Sequence, residues 1–300
     1  MANIREIKKR IASVRNTAKI TRAMEMVAAS RMRNAQERAL RGRPYSEKLL
    51  KVMGDLAAQP GGAEAVCPLM EQRAAGDIAI CPLLEQRPVN RIAIVHFTSD
   101  RGLCGGLNTN VNKLSDTYIL EQNIPVSVVT VGKKGVDFML QVGHEVRAEF
   151  SAMGDKPSFS DVMPIARVVM DDYIDGTIDQ VFVAYPRFRS TAFQEPVFEQ
   201  LLPVQPAELP AGSNVEYIYE PDPATVLDQL LPRYIEMKIY HVLLETIASE
   251  QSARMVAMRN ATDAANEMVD ELTLRYNKLR QEQITTELLD ITAGAAAVRK

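Results

Sequence analysis

The C-terminal part of the chain constrains the fold most strongly, because it contains a long run without helix-breaking residues. From Arg233 to Ala293, 61 residues pass without a glycine or a proline. A helix of that length spans about 90 Å at roughly 1.5 Å per residue. Such a length predicts a coiled coil rather than a helix inside a compact domain.

Small and apolar residues recur in this run at alternating spacings of four and three, the pattern of a coiled-coil seam. The first half of the seam is Ile235, Ile239, Val242, Thr246, Ser249, Ala253 and Val256. The seam is then predicted to shift and to continue through Ala264, Met268, Leu272 and Leu279. Because the side chains are small, we expect a partner helix to approach closely.

The N-terminal segment provides the expected partner helix. Apolar residues recur there at spacings of three and four, at Ile4, Ile7, Ile11, Val14, Ala18 and Thr21. Glycine and proline first occur at Gly42 and Pro44, where we expect a kink followed by more helix. Two long helices at opposite ends of a chain can pair antiparallel when a compact domain connects them. Two ordinary core helices of a bundle are the alternative interpretation.

The middle of the chain has the pattern of an α/β domain. Three β-rich apolar runs, at 91–99, 126–131 and 180–185, are predicted strands. Helical stretches are predicted between them at about 105–122, 133–141 and 161–174, and 192–202 is a candidate edge strand. Strands that alternate with helices indicate βαβ units and a mainly parallel sheet.

The predicted fold class is therefore α/β, with a long antiparallel coiled coil of the terminal helices and a Rossmann-like domain. We predict an N-terminal coiled-coil helix over 1–58 and a C-terminal one over 233–300. Between them we predict a linker over 59–90, the α/β domain over 91–208 and a connector over 209–232.

The charge is distributed unevenly. Residues 1–53 carry 14 Lys and Arg against 4 Asp and Glu, whereas residues 54–231 carry 12 against 24. A basic helix can indicate a nucleic-acid-binding protein, which would be retained on DNA in a salt-sensitive way. However, no aromatic residue for base stacking precedes Tyr45. An exposed face, or one that meets an acidic protein surface, explains the basic residues equally well.

A tandem duplication precedes the first predicted strand. CPLMEQRAAGDIAI (67–80) is followed directly by CPLLEQRPVNRIAI (81–94), and nine of the fourteen aligned positions are identical. We interpret the first copy as a surface insertion, since loops accept added length at little cost.

A glycine-rich segment, SDRGLCGGLN (99–108), follows the first strand and precedes a helix. Such a turn could bind a phosphate, but neither the G-x-G-x-x-G fingerprint nor a P-loop is present. We therefore favour a tight structural turn over a nucleotide-using enzyme. Cys104 could act as a nucleophile at a helix N-terminus, yet a small buried cysteine is the favoured interpretation. With three histidines in the chain, we do not expect a histidine-rich metal site. We also expect no cofactor.

Three segments together resemble the gamma subunits of F-type ATP synthases. They are IKKRIASVRNTAKITRAMEMVAASRMR (7–33), SDRGLCGGLN (99–108) and the segment 249–298, which begins SEQSARMV. The resemblance covers both ends of the chain and the start of the α/β domain. It implies a non-catalytic central rotor shaft whose partners are the alpha/beta hexamer of the head, the epsilon subunit and the membrane c ring. It implies no nucleic acid and no small-molecule substrate.

The resemblance also implies roles for individual residues in contacts with beta subunits. Arg280 and Gln281 match positions that hydrogen-bond the catch loop of a beta subunit, and Arg254 matches a position in the same network, with Thr285 and Glu287 nearby. Arg101 matches a basic residue near the acidic C-terminal lever of beta. Met24 matches the position that faces that lever on the opposite helix.

Two features qualify this comparison. The duplicated segment is not part of the usual family pattern, and the regulatory insertion of chloroplast and cyanobacterial forms is absent between Gly143 and Glu220. We therefore expect a bacterial subunit, peripheral to the cytoplasmic face of the membrane. The first residues, MANIREIKKR, have no apolar stretch after their charges, so no signal peptide is expected. The small residues of 292–298 suit either sliding in an apolar sleeve or a frayed helix end.

Overall fold

The structure is a computed structural model that describes residues 4–57, 83, 87–154, 156–204 and 223–298. The first copy of the duplication and most of the start of the second copy lie outside these residues. The same holds for most of the predicted connector up to residue 222.

The described chain contains five helices and five strands. In chain order they are α1 (Ile4–Ala57), β1 (Ile92–Phe97), α2 (Leu107–Glu121), β2 (Val126–Val131), α3 (Lys133–Val142), β3 (Glu145–Phe150), α4 (Phe159–Ile174), β4 (Gln180–Phe188), β5 (Gln194–Leu202) and α5 (Pro223–Val298). The predicted strands and helices of the middle segment are confirmed within a few residues, and β5 confirms the candidate edge strand.

The strands form one sheet in the order β3-β2-β1-β4-β5. The pairs β1–β2, β1–β4 and β2–β3 are parallel, and β4–β5 is antiparallel. The predicted mainly parallel α/β sheet is therefore confirmed. The sequence pattern missed β3, because its sequence EVRAEF alternates exposed and half-buried residues at a sheet edge. Such a strand has no continuous apolar run.

The central strand β1 divides its side chains between two apolar layers. Ala93, Val95 and Phe97 join the larger core with α4 and with parts of α1 and α5. Ile92 and Ile94 join a smaller core with Val111 of α2. This division follows from the two-residue period of a strand. Because both faces are covered, all six residues of β1 are buried, as expected for a central parallel strand.

The chain divides into two compact units, one of residues 30–253 and one of residues 1–29 with 254–300. Within the first unit, α5 is tied to the sheet by buried hydroxyls. The Ser249 hydroxyl donates to the Pro186 carbonyl at 2.8 Å, and the Ser252 hydroxyl donates to the Thr191 carbonyl at 2.9 Å. These bonds hold the β4–β5 connection against the helix.

The second unit is an antiparallel helix pair. Ile7 and Ile11 of α1 pack with Val269 of α5, and Leu272, Tyr276 and Leu279 border this cluster. Further along, the Thr21 and Thr262 hydroxyl oxygens lie 2.7 Å apart. Residues early in α1 thus meet residues late in α5, which confirms the predicted antiparallel pairing of the terminal helices.

The predicted seam of α5 is wrong in two places. Ala264 and Met268 are exposed, and the neighbouring Ala265 and Val269 are buried instead. The seam in the second unit runs through Met258, Thr262, Ala265, Val269, Leu272, Tyr276 and Leu279. The prediction placed the large apolar Met268 in the seam. In the structure the seam instead includes the polar Thr262, whose hydroxyl pairs with that of Thr21. In the first half of the predicted seam, the members from Ile235 to Ser249 are buried, whereas Ala253 and Val256 are half-buried. Ile235, Ile239 and Val242 pack in the core of the α/β domain.

Both terminal helices continue through prolines. α1 contains Pro44. α5 contains Pro232 and begins at Pro223, ten residues before the predicted start at 233. A proline inside a helix removes one hydrogen bond and costs about 3 kcal/mol. Apolar burial offsets this cost: Leu231 is buried beside Pro232, and Leu49 is buried one turn beyond Pro44.

Candidate functional site

The carboxyl ends of the parallel strands are where ligands bind in sheets of this type. In this protein α5 covers that edge. Thr98, Asp100 and Gly132 face Thr246 and Ile247 of α5 across a cavity of about 30 Å³. That volume holds about one or two water molecules, whereas small-molecule sites are roughly 300–1,000 Å³. This cavity is therefore too small for a nucleotide.

The glycine-rich loop after β1 is held by its own hydrogen bonds. The Ser99 amide donates to Asn108 Oδ1 at 3.1 Å, and the Ser99 hydroxyl donates to the Arg101 carbonyl at 2.6 Å. Both carboxylate oxygens of Asp100 accept backbone amides, from Lys133 and from Ala152, each at 3.1 Å. Asp100 thus connects three loops. Arg101 is exposed on the loop after β1.

Cys104 and His96 are not arranged as a nucleophile and its base. Cys104 is buried, with its sulfur 3.4 Å from Asn108 Nδ2. His96 Nε2 bonds Asn112 Oδ1 at 2.8 Å, and its Nδ1 bonds the Ser115 hydroxyl at 2.9 Å. Burial lowers the pKa of His96 from 6.5 to about 4, although the Asn112 bond opposes this shift. The imidazole is therefore a neutral core group at physiological pH.

Within the described part of the chain, no group of three or more His, Cys, Asp and Glu side chains could hold a metal ion. The same residues include no helix that is long and apolar enough to cross a membrane.

The end of α5 carries a different kind of site, a surface suited to another protein. The apolar seam with α1 reaches Leu279. Every described side chain from Arg280 to Gly294 is exposed, and this stretch is called the exposed segment below. Large apolar side chains occur in it: Ile284 is 45% exposed, Leu288 57% and Ile291 67%. Exposed apolar residues grouped in this way mark a protein interaction site.

The exposed segment is chemically asymmetric. Positions four, seven, eight and eleven apart share one face of a helix. Arg280, Ile284, Glu287, Leu288 and Ile291 therefore lie on one face. Glu282, Thr286, Leu289 and Asp290 lie on the opposite face. A helix with one mainly apolar face and one mainly polar, acidic face presents different surfaces to partners on its two sides.

Four of the sequence-predicted residues occur together in the exposed segment: Arg280, Gln281, Thr285 and Glu287. All four are exposed. The Thr285 hydroxyl donates to the Gln281 carbonyl at 2.9 Å, and the Gln283 amide donates to Glu287 Oε1 at 2.8 Å. These bonds are within the helix, so the Arg280 guanidinium and the Gln281 amide stand on a regular, well-defined helical surface.

The other three predicted residues lie apart from this group. Arg254 is buried and lies 26 residues before Arg280 on the same helix, which is about 39 Å of helix. The structure therefore does not bring Arg254 next to Arg280. Met24 is half-buried in α1, and Arg101 is exposed in the other compact unit.

The sequence prediction missed the apolar members of the exposed segment. A signal was available, because Ile284, Leu288 and Ile291 repeat at spacings of four and three on the face of Arg280. What the pattern did not indicate is where the partner helix stops. Beyond Leu279 every described residue of α5 up to Gly294 is exposed.

These features define a class of protein: a subunit of an assembly, in which a terminal helix pair offers binding surfaces and the α/β domain has a closed ligand crevice. The family model described as ATP synthase matches residues 3–298. The ATP synthase gamma chain of Dehalococcoides mccartyi is 61% identical over 298 residues, which cover 99% of this chain and 100% of that protein. The gamma chain of Herpetosiphon aurantiacus is 44% identical over 308 residues, with complete coverage of both chains.

A solved structure shows the same fold. A chain in the cryo-EM structure of the Euglena gracilis mitochondrial ATP synthase, which includes OSCP, F1 and c-ring, aligns with a TM-score of 0.66 and 22% identity. The alignment covers 98% of this chain and 94% of that chain. The chain described here belongs to the ATP synthase gamma chain family.

Proposed function

We propose that this chain is the rotating central shaft of an F-type ATP synthase and couples ion flow through the membrane c ring to ATP synthesis or hydrolysis in the head. Its membership of the gamma chain family supports this role, and one observation carries the proposal: the exposed segment of α5. Its partners are the alpha/beta hexamer, the epsilon subunit and the c ring. The chain itself is non-catalytic, and it acts at the cytoplasmic face of a bacterial plasma membrane as a peripheral subunit.

The chemical asymmetry of the exposed segment provides a physical route for coupling. A shaft can bias the conformation of a surrounding subunit only if its contacts differ between the conformations of that subunit. With a mainly apolar face on one side and a mainly polar face on the other, rotation exchanges which surface each catalytic subunit meets. Nucleotide affinity and shaft angle are then thermodynamically linked, and each changes the other by the same free energy.

Arg280 and Gln281 are the proposed points of hydrogen bonding to a beta subunit. The planar guanidinium of arginine binds a carboxylate with two parallel hydrogen bonds, which gives direction as well as affinity. Thr285 and Glu287 lie one and two turns further along the same helix and extend this contact. The apolar neighbours Ile284 and Leu288 exclude water around it.

Arg254, Met24 and Arg101 are proposed to contact beta subunits elsewhere. Because Arg254 is separated from Arg280 by a long stretch of helix, it forms a contact at a different height of the shaft. Arg101 is proposed to meet the acidic lever of beta from the surface of the α/β domain, and Met24 to face that lever from α1.

The proposal is tested by reconstitution. Alpha and beta subunits from the same organism are assembled with and without this chain, and the subunit ratio and the steady rate of ATP hydrolysis are measured. We expect about one copy of the chain for three beta subunits and a faster steady turnover in its presence. A chain that neither joins the complex nor changes turnover contradicts the proposal, and retention on DNA then becomes the next assay.

The proposed contact is tested in the same assembled complex with Arg280→Ala and Gln281→Ala. A hydrogen bond to a charged group is worth about 1.5–3 kcal/mol, so we expect Arg280→Ala to lower coupled turnover by roughly 10- to 100-fold. Arg275→Ala is the matched control, because Arg275 is exposed on the same helix and points away from the Arg280 face. Equal effects of Arg280→Ala and Arg275→Ala would refute a specific contact.

A further inference from the structure

Two completely buried serines, Ser249 and Ser252, lie three residues apart on the same face of α5. They belong to the end of the α5 segment that lies in the compact unit of residues 30–253. Alanine has nearly the same size, is a better helix former and brings no polar group that must be buried. Packing alone therefore does not require a serine at either position, and the two hydroxyls need a separate explanation.

The Ser249 hydroxyl supplies a hydrogen bond where the facing strand has no donor. It donates to the Pro186 carbonyl in β4 at 2.8 Å. Pro186 is buried and lies opposite Pro196 of β5 in the antiparallel register. Proline has no amide N–H, so Pro196 cannot donate to that carbonyl. A buried carbonyl without a donor is unfavourable, and Ser249 provides the donor from α5.

The Ser252 hydroxyl anchors the turn between β4 and β5. It donates to the Thr191 carbonyl at 2.9 Å. The side-chain amide of Gln194 donates to the Ser190 and Thr191 carbonyls, each at 3.1 Å. The same amide lies 3.4 Å from the Ser252 hydroxyl oxygen. Because residues 189–193 are all exposed, apolar burial contributes little to holding this turn on the helix, and the hydrogen bonds hold it instead.

The two serine bonds fix the rotation of α5 about its own axis relative to the sheet. Apolar contacts of α5 with the core, such as those of Ile235, Ile239 and Ile247, are non-directional. A hydrogen bond, in contrast, weakens steeply as its length and angle leave the optimum. Because the two bonds reach separate points of the β4–β5 hairpin, at 186 and 191, a rotation of the helix strains both at once.

We propose that Ser249 and Ser252 are positioning residues for coupling: their hydroxyls hold α5 on the β4–β5 hairpin, so that a twist of α5 turns the α/β domain with it. Beyond residue 253, α5 belongs to the unit that it forms with the start of α1. A torque on that part of the helix reaches the sheet through the segment that contains both serines. The inference rests on the proposed function, since a twist is transmitted only if the chain is the rotating shaft.

The role of the hydroxyls is tested in complete purified ATP synthase with Ser249→Ala and Ser252→Ala combined. Thr246→Val is the matched control, because Thr246 is buried on the same helix but its hydroxyl donates to the Val242 carbonyl within α5. Hydrogen exchange of segment 189–194 reports release of the turn. We expect this exchange to accelerate by about five- to a hundredfold in the double variant, and to stay unchanged in the control.

Coupling is measured in the same preparations as the number of ions pumped per ATP hydrolysed. We expect this ratio to fall in the double variant while ATP hydrolysis continues at the wild-type rate, because the helix turns and the sheet follows incompletely. In Thr246→Val both quantities should equal those of the wild type. A purely structural role of the serines predicts an unchanged ratio, so faster exchange with an unchanged ratio overturns the inference. Unchanged exchange, or an equal fall in hydrolysis and pumping, overturns it as well.

Ser252→Ala alone keeps the inference testable if the double variant does not fold, which the thermal midpoint of the full-length chain shows. The Thr191 carbonyl retains its hydrogen bond from Gln194 in this variant, so we expect the fold to be retained. Exchange of segment 189–194 should rise by about two- to tenfold, and the ratio of ions to ATP should fall by less than in the double variant. A wild-type ratio despite the faster exchange contradicts the proposed role.

The two failures are distinguishable. If the unmodified chain does not join the alpha/beta complex, the proposed function fails and the inference about the serines fails with it. If the unmodified enzyme pumps ions and the serine variants pump as many ions per ATP, only the inference about the serines is overturned.

Discussion

The buried imidazole of His96 is expected to make the α/β domain sensitive to mild acid. His96 lies in the central strand with no exposure to solvent, and its ring nitrogens are hydrogen-bonded to the neutral Asn112 and Ser115. Burial lowers its pKa from 6.5 to about 4. A histidine whose pKa is lowered in the folded state does not reduce stability above about pH 6.5, where it is neutral in both states. As the pH falls from about 6.5 towards 4, the unfolded chain binds a proton at this histidine and the folded chain does not, so the free energy of unfolding decreases.

The size of the effect follows from the shift. Between pH 7.5 and pH 5, the unfolded chain takes up a proton at this histidine while the folded chain does not. With pKa values of about 6.5 and about 4, this linkage removes about 2 kcal/mol of unfolding free energy. That is a large share of the roughly 5–15 kcal/mol by which domains are stable.

The measurement is urea denaturation, followed by circular dichroism, of the wild-type chain and of His96→Gln at pH 7.5 and pH 5. Glutamine offers an amide at the position of the ring nitrogens but does not titrate, so the variant carries a cost that is independent of pH. We expect the wild-type chain to lose about 2 kcal/mol more than His96→Gln between the two pH values. Equal losses in the two proteins would refute the assignment of the acid sensitivity to His96.

Two further predictions concern close approaches in the fold. Gly132→Ala should cost at least about 3 kcal/mol of stability, because an added Cβ would lie 2.2 Å from the Thr98 carbonyl oxygen at a φ of +107°. Gly102→Ala is the control in thermal denaturation, since nothing lies within 4 Å of the added Cβ there. Equal losses of stability in the two variants would contradict the reasoning. In the helix pair, Thr21→Val and Thr262→Val should each destabilise by about 1 kcal/mol, while the double variant should be close to neutral. A double-mutant cycle measured by urea denaturation checks this, and additive single effects would show that the 2.7 Å hydroxyl contact contributes nothing.

Much of the architecture could be predicted because it follows from local periodicity. Strands β1, β2 and β4 are continuous apolar runs, since both faces of a central parallel strand are covered. The absence of glycine and proline from 233 to 293 predicts one long helix. Its alternating spacing of four and three also predicts pairing with the N-terminal helix.

The candidate site was predictable only in part. The family resemblance pointed to Arg280 and Gln281, and the structure places both in the exposed segment. It pointed equally to Arg254, which the structure buries elsewhere on the helix. The spacing of residues along a chain does not show which side chains are covered by other parts of the same chain, so burial could not be predicted residue by residue.

The sequence by itself determined the helices, the strands β1, β2 and β4, their order along the chain and the family, because hydrophobic period and motif are local properties. The tertiary structure alone decided which heptad positions of α5 face α1, since a shift of one residue from Met268 to Val269 depends on the partner helix. It also decided that α5 passes through Pro232, because burial of Leu231 offsets the local cost. The exposure of residues 280–294 was also decided by the tertiary structure, because it depends on where the seam with α1 ends.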